Sequence, residues 1–343
     1  MTDFTYILQK IADQQELLPE EAAYALGEII SGKVNPARTA AFLYGMSVKG
    51  ETVEELTAFV KVMRKASIPV QADVDSAIDV CGTGGDKSGT FNISTAAMFV
   101  AAGADIPVLK HGNSGVSSKS GSFDVLRCLG VVPDLEKDEV ETCFRETGMA
   151  FMYAPIFHPA MAHVMPVRKQ LGMRTFFNIM GPMLNPARVR RQMIGAYSLE
   201  TAGNIARILA KLETDFAYAI HAEDGLDEFS TTAPTHVFQL SDGTIQNSRM
   251  FESGVFGIEK ARVGDLQGGT PEENAAIILS VLDDKASKAQ RDIVLLNAAF
   301  AIHTSGIEPD IQEAFYTAEE SLESGNARKA LQLFADCTSG LQK

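Results

Sequence analysis

The chain has 343 residues, 45% of them hydrophobic, and a formal net charge of −14. That length and apolar content suit one large domain or two ordinary ones with a sizeable core. The acidic balance argues against a general nucleic-acid or anionic-membrane binder, which needs a basic face to displace counterions, so an anionic substrate must be held by local donors and metal ions.

The four cysteines, Cys81, Cys128, Cys143 and Cys337, lie far apart without a Cys-x-x-Cys pair, which fits reduced thiols in a cytoplasmic protein better than a disulfide framework or a zinc site. The N-terminus, with Asp3 and Thr5 among its first residues, lacks the basic and apolar regions of a signal peptide, and no uninterrupted apolar run is long enough to span a bilayer. Residues 1–70 read as a small all-helical domain: Phe4, Ile7, Leu8 and Ile11 open it, apolar periodicity continues over 22–30, 37–48 and 53–63, and Ser31-Gly32 and Lys49-Gly50 are stops. Its apolar residues exceed what four short helices bury among themselves, so it packs on something else, a second copy or the rest of the chain.

Residues 71–343 read as a large α/β domain with a mostly parallel central sheet covered by helices. Ala77-Ile78 and Val80 enter the loop Gly82-Thr83-Gly84-Gly85-Asp86-Lys87-Ser88-Gly89, and an alanine-rich helix over 96–102 follows, which Gly103 can close. A second short strand over 106–109 enters Lys110-His111-Gly112-Asn113-Ser114-Gly115 and a serine-rich tail, then a helix from Phe123 that stops at Gly130. A loop between a strand and a helix N-terminus is where anions bind, because free N–H groups and the positive dipole end point into it. Two such loops in succession imply a ligand with phosphates at both ends. Neither is a familiar nucleotide loop: Lys87-Ser88 follow Asp86 where a P-loop needs glycine, and Lys87 stands where a dinucleotide fingerprint needs its third glycine.

A helix over 135–147 ends at Gly148, and a strand over 150–153 follows. A helical segment near 157–180 is expected to join the two domains, with Pro166 kinking it as a hinge, and 178–186 reads as an ordered loop. Strand 193–197, helix 202–212 and strand 216–220 form a strand-helix-strand unit that delivers Glu223-Asp224-Gly225-Leu226-Asp227-Glu228 at a strand's C-terminal end, where ligands of open α/β sheets bind. The spacing does not fit an EF-hand, but magnesium needs only one or two carboxylates. A hairpin around Ser241-Asp242-Gly243 follows, and then helices from the capping box Thr270-Pro271-Glu272-Glu273 onward, which are expected to cover the sheet without contributing chemistry.

Gly82-Thr83-Gly84-Gly85-Asp86, Asn92-Ile93-Ser94-Thr95, Lys110-His111-Gly112-Asn113, Ser117-Ser118-Lys119-Ser120-Gly121-Ser122 and Gly225-Leu226-Asp227-Glu228, five motifs in order at the family's spacing, resemble anthranilate phosphoribosyltransferase, a glycosyltransferase of tryptophan biosynthesis. The resemblance implies transfer of the phosphoribosyl group of 5-phosphoribosyl 1-pyrophosphate to the amine of anthranilate. It implies no protein nucleophile. For the donor it implies Gly82, Gly85, Asp86, Thr90, Asn92, Ile93, Ser94, Thr95, Lys110, His111, Gly112, Asn113, Ser114, Gly115, Val116, Ser117, Ser118 and Ser122. For anthranilate it implies Gly82, Asn113 and Arg168, the arginine gripping the carboxylate, and for two magnesium ions per subunit Ser94, Asp227 and Glu228. It also implies a homodimer through the helical domain. Some relatives pair with the amidotransferase of anthranilate synthase; no fused amidotransferase domain is expected, and the sequence leaves that partner open.

His111 serves equally well as a hydrogen-bond donor to the amine or ribose and as a structural residue, so it is not assigned a catalytic role. Ser114 stands where the family usually has arginine, which is expected to alter substrate affinity. Two other readings remain at this point: a pyrimidine nucleoside phosphorylase, for which the Asp227-Glu228 pair makes little sense, and a non-catalytic nucleic-acid-binding relative, which the acidic balance opposes.

Overall fold

The computed structural model describes residues 3–86, 88–115 and 120–341. The first four helices, α1 (Phe4–Ala12), α2 (Pro19–Ile30), α3 (Pro36–Lys49) and α4 (Val53–Ala66), precede β1 (Ile78–Gly82), α5 (Ile93–Gly103), β2 (Val108–Gly112), α6 (Ser122–Cys128), α7 (Lys137–Thr147) and β3 (Met149–Tyr153). Short helices α8 (Ala154–Phe157), α9 (Met165–Leu171) and α10 (Phe177–Met180) lead to β4 (Arg191–Gly195), α11 (Leu199–Leu209) and β5 (Phe216–Ala222). The hairpin β6 (Thr235–Ser241) and β7 (Thr244–Phe251) and four helices, α12 (Pro271–Leu282), α13 (Lys288–Ser305), α14 (Ile311–Glu323) and α15 (Asn326–Leu341), complete the chain. Among the described residues no helix is long and apolar enough to cross a membrane.

One seven-stranded sheet has the order β3-β2-β1-β4-β5-β6-β7. The pairs from β3 to β5 are parallel and the last two antiparallel. Alternation along the strands sorts side chains to two faces. On β5, Tyr218, Ile220 and Ala222 join the core beneath α5 and α12 to α15, while Ala217 and Ala219 join the core that contains α11 and the N-terminal helices. That second core is continuous from α1 to the sheet, so the apolar excess of the helical module is buried at least in part against the rest of the chain.

The segment between β3 and β4 belongs physically to the helical module. Phe176 stacks on Phe59 at 4.5 Å and meets Phe42 edge-on at 6.2 Å, and it is 1% exposed. On the opposite side, Asn185 donates to Asp79 Oδ2 and to the Leu109 carbonyl, both at 2.8 Å, which ties the end of this segment to β1 and β2.

Four expectations are corrected. The second strand begins at Val108 and runs through Gly112, because Pro107 has no N–H for the ladder; Lys110 and His111 are therefore strand residues, paired with Phe151 and Met152. Helix α5 starts at Ile93 and is capped after Gly103 by Ala104, since Gly103 serves a close approach: a Cβ there would lie 2.4 Å from the Ala327 nitrogen. Pro166 lies in the first turn of α9, where its missing N–H costs nothing, so it starts that helix and does not kink it. Residues 178–186 are largely helical, completing α10 and a 3₁₀ turn over Gly181–Leu184.

Because Phe176 fills the aromatic centre of the helical module, Phe176→Ala is expected to lower unfolding stability by roughly 3–5 kcal/mol. Chemical denaturation of the two proteins measures it, and a loss below about 1 kcal/mol would mean that the segment is only loosely seated.

Candidate active site

In the strand order, β1 lies where the chain turns outward in both directions, to β2 on one side and β4 on the other; the crevice at this reversal is where open α/β sheets bind ligands. Gly82 and Gly195, the last residues of β1 and β4, are register partners. The acidic turn after β5 crosses directly over them. A Cβ at Gly82 would lie 2.3 Å from Asp227 Oδ2, and one at Gly195 would lie 1.6 Å from the Asp227 carbonyl oxygen, so any larger residue at either position displaces the turn.

The turn is clamped to both halves of the first anion loop. The Gly84 N–H donates to Asp227 Oδ2 at 2.8 Å, and the Ser94 N–H, in the first turn of α5, donates to Glu228 Oε1 at 3.2 Å. Both carboxylates are half-buried, and burial lifts both carboxyls above the usual range; Asp227 lifts Glu228 further, Asp86 lifts Asp227, and Lys110 opposes both shifts. The Lys110 side chain is buried, donating to the Val80 carbonyl and to Ser94 Oγ at 3.4 Å. Beneath it, Asp79 is wholly buried, and desolvation pushes its carboxyl up to about 6 against the pull of Lys110, Asn185 and the His111 N–H.

The residues around this centre have separable tasks. Ile93 and Thr95 turn inward into the core, and their N–H groups donate to the Phe91 carbonyl at 2.8 Å and the Asn92 carbonyl at 3.1 Å. The Asn92 side chain is gripped from two sides: its amide donates to the Ser120 backbone carbonyl at 3.3 Å, and its Oδ1 accepts from Ser120 Oγ at 3.2 Å and from the Asn274 amide of α12 at 2.9 Å. Thr90 forms an isolated bridge with Gln267, whose amide donates to the Ser88 carbonyl at 3.0 Å. Thus α12 and the segment before it hold the loop, a task that reading them as cover for the sheet missed.

In the second loop, the Asn113 carbonyl accepts from the Phe123 N–H at 3.2 Å and from Ser122 Oγ at 3.4 Å. Asp124 Oδ2 accepts from the N–H groups of Gly115 and Gly121, each at 2.8 Å. Ser114 lies 3.5 Å from the Tyr153 hydroxyl, whose ring stacks on Phe123. Val116, Ser117 and Ser118 lie outside the described residues.

His111 is buried against His158 with ring centroids 5.1 Å apart. Burial holds both imidazoles below their usual range, His158 at about 4, so both are neutral near pH 7. Arg168, on α9, lies 5.0 Å over the Phe177 ring and donates to Asn178 Oδ1 at 3.4 Å; among the described residues it has no carboxylate partner. Two supports of the acidic turn also escaped the sequence reading. Asp224 Oδ2 accepts from Ser230 Oγ at 2.7 Å and from Thr232 Oγ1. Asn297 of α13, fully buried, accepts from the Phe229 N–H at 3.0 Å and donates to its carbonyl at 2.9 Å. Among the described residues there is no group of three or more His, Cys, Asp or Glu side chains able to hold a metal; the acidic turn offers two carboxylates and a neighbouring hydroxyl.

Residues 74–328 match the model of the glycosyl transferase family a/b domain, and residues 5–67 that family's helical bundle domain. The anthranilate phosphoribosyltransferase of Salinibacter ruber is 48% identical over 333 residues, covering 96% of each chain. The crystal structure of anthranilate phosphoribosyltransferase from Thermus thermophilus superposes with a TM-score of 0.90 at 34% identity, covering 97% of this chain and 99% of that one. The Saccharomyces cerevisiae enzyme in complex with PRPP and Mg gives a TM-score of 0.90 at 28% identity, covering 98% of each. With the glycine loops, the clamped acidic turn and near full-length similarity in agreement, the chain belongs to the anthranilate phosphoribosyltransferase family.

Proposed function

We propose that this chain transfers the phosphoribosyl group of 5-phosphoribosyl 1-pyrophosphate to the amine of anthranilate, giving N-(5-phosphoribosyl)anthranilate and pyrophosphate, in the cytoplasm. The observation that carries the reading is the double clamp of Asp227 on the Gly84 N–H and Glu228 on the Ser94 N–H. It sets two carboxylates against the start of α5 in the crevice at the strand reversal, the place for a metal-bound diphosphate. We read residues 1–70 as the helical domain and 71–343 as the transfer domain.

Magnesium fits these donors. Two carboxylates and the Ser94 hydroxyl are hard oxygen ligands, magnesium fills its remaining positions with water and phosphate oxygens, and the raised carboxyls favour a nearby cation. When bound, two ions per subunit supply Lewis-acid neutralisation of the leaving diphosphate. The protein's share is binding and orientation. The two glycine loops hold ribose and phosphates; Lys110 donates to Ser94 Oγ and orients it. Arg168 pairs with the anthranilate carboxylate, with Gly82 and Asn113 lining the acceptor. The amine nitrogen then bonds to the anomeric carbon as the carbon–oxygen bond to pyrophosphate breaks, and the amine's extra proton passes to water. An aromatic amine is neutral near pH 7, so no strong base is required.

The homodimer is assigned to the helical domain, where Tyr44 and Val48, one turn apart on α3 and each 57% exposed, present an apolar face. Tyr44→Glu with Val48→Glu is expected to convert a dimer into a monomer in sedimentation velocity. An unchanged sedimentation coefficient would place the contact elsewhere.

Asp227→Asn and Glu228→Gln are each expected to lower kcat/KM roughly a hundredfold or more, measured as loss of anthranilate fluorescence with the donor and magnesium. Magnesium binds the charged pair, whereas burial makes the pair keep its proton to higher pH than ordinary carboxyls, so ion binding expels protons and strengthens as pH rises. The rise in Tm caused by magnesium should therefore be larger at about pH 8 than at about pH 6 and vanish in Glu228→Gln; equal rises at both pH values would count against the site. Arg168→Ala is expected to raise the KM for anthranilate roughly tenfold or more while the donor KM changes less.

A further inference from the structure

Arg174 lies in the turn between α9 and α10, in a part of the chain to which the reaction described above gives no task beyond Arg168. Its Nη2 donates to the Gly85 carbonyl, and its guanidinium lies 4.3 Å over the ring of Tyr197. Gly85 has φ of +75°, and a Cβ there would lie 2.7 Å from Arg174 Nη2, so glycine meets both the turn's backbone and the arginine's approach. Tyr197 is tied to the same loop, since its N–H donates to Thr83 Oγ1 at 3.1 Å and the Thr83 N–H donates to the Gly195 carbonyl at 2.9 Å. The arginine therefore bridges the loop after β1 and Tyr197, two residues beyond the end of β4. It also leads back to the acceptor side: Asn178 Oδ1 accepts both from Arg168 Nη2 at 3.4 Å and from the Thr175 N–H, beside Arg174, at 3.1 Å.

We propose that Arg174 is a positioning residue that latches the first glycine loop by its Gly85 carbonyl, fixing the loop in the shape that receives the phosphoribosyl donor and joining it to the segment that carries Arg168. A charged donor on the carbonyl holds the peptide unit with that oxygen turned to Arg174. The planar guanidinium suits the place because it stacks on an aromatic face while its N–H edge points at the carbonyl, a geometry that an ammonium, with no flat face, reproduces only in part. The latch itself is independent of the reading of the reaction, whereas its effect on the donor rests on that reading.

Two measurements on Arg174→Ala and Arg174→Lys test it. Hydrogen exchange on the ligand-free protein should be faster over residues 80–86 in Arg174→Ala, with unchanged exchange in α13 reporting an intact fold. Steady-state assays should show the KM for 5-phosphoribosyl 1-pyrophosphate raised roughly tenfold in Arg174→Ala, more than the KM for anthranilate, with partial recovery in Arg174→Lys. If Arg174→Ala does not fold, Arg174→Lys carries both arms with smaller shifts. Unchanged exchange over 80–86 overturns the latch; faster exchange with an unchanged donor KM overturns its role in binding. An inactive wild-type chain would sink the proposed reaction, while the exchange comparison would still decide the latch.

Discussion

The passage of the Asp227 backbone over Gly82 and Gly195 is the constraint on which the active site depends. Two parallel strands end side by side without side chains, and a third strand's loop drops into that space. This puts two acidic side chains within hydrogen-bonding distance of Gly84 and of the α5 start, although they lie more than 130 residues away in sequence. Asp224 and Asn297 hold this turn in place, and Asn274 and Gln267 hold the loop that faces it.

A protein of net charge −14 that handles a polyanion must solve the problem locally. Here the positive potential comes from oriented peptide dipoles at the start of α5, from a buried lysine under Ser94, and from two arginines on the linking segment. The carboxylate pair works in the opposite sense and would by itself repel a diphosphate. Its raised carboxyls express that frustration, and a divalent cation relieves it.

The glycine loops, the acidic turn and the alternating α/β pattern were legible in the sequence because each depends on local chemistry: turn residues, apolar period and the identity of adjacent side chains. Element ends were less so. Pro107 delayed β2, and Pro166 opened a helix that periodicity alone would have continued. The residues that went unread, Asn274, Asn297, Asp224 and Arg174, are polar side chains whose meaning lies in a partner. Asn274 reaches Asn92 across 182 positions and Arg174 reaches Gly85 across 89. No spacing rule reports such pairs, since an asparagine in a helix looks the same whether it faces water or grips a loop. Ser114 was conspicuous as a departure from the family pattern, yet its proximity to the Tyr153 hydroxyl could be found only in three dimensions.

The ring of Phe176 among Phe42 and Phe59 has a bearing on how the molecule comes into being. During synthesis the four N-terminal helices leave the ribosome long before the residue that fills their aromatic centre. They must wait, with apolar surface uncovered, for more than a hundred further residues, so the helical bundle is an early emerging but late maturing part of the chain. Because the bundle and the sheet's second face share one core, the final packing of the bundle waits on the segment between β3 and β4.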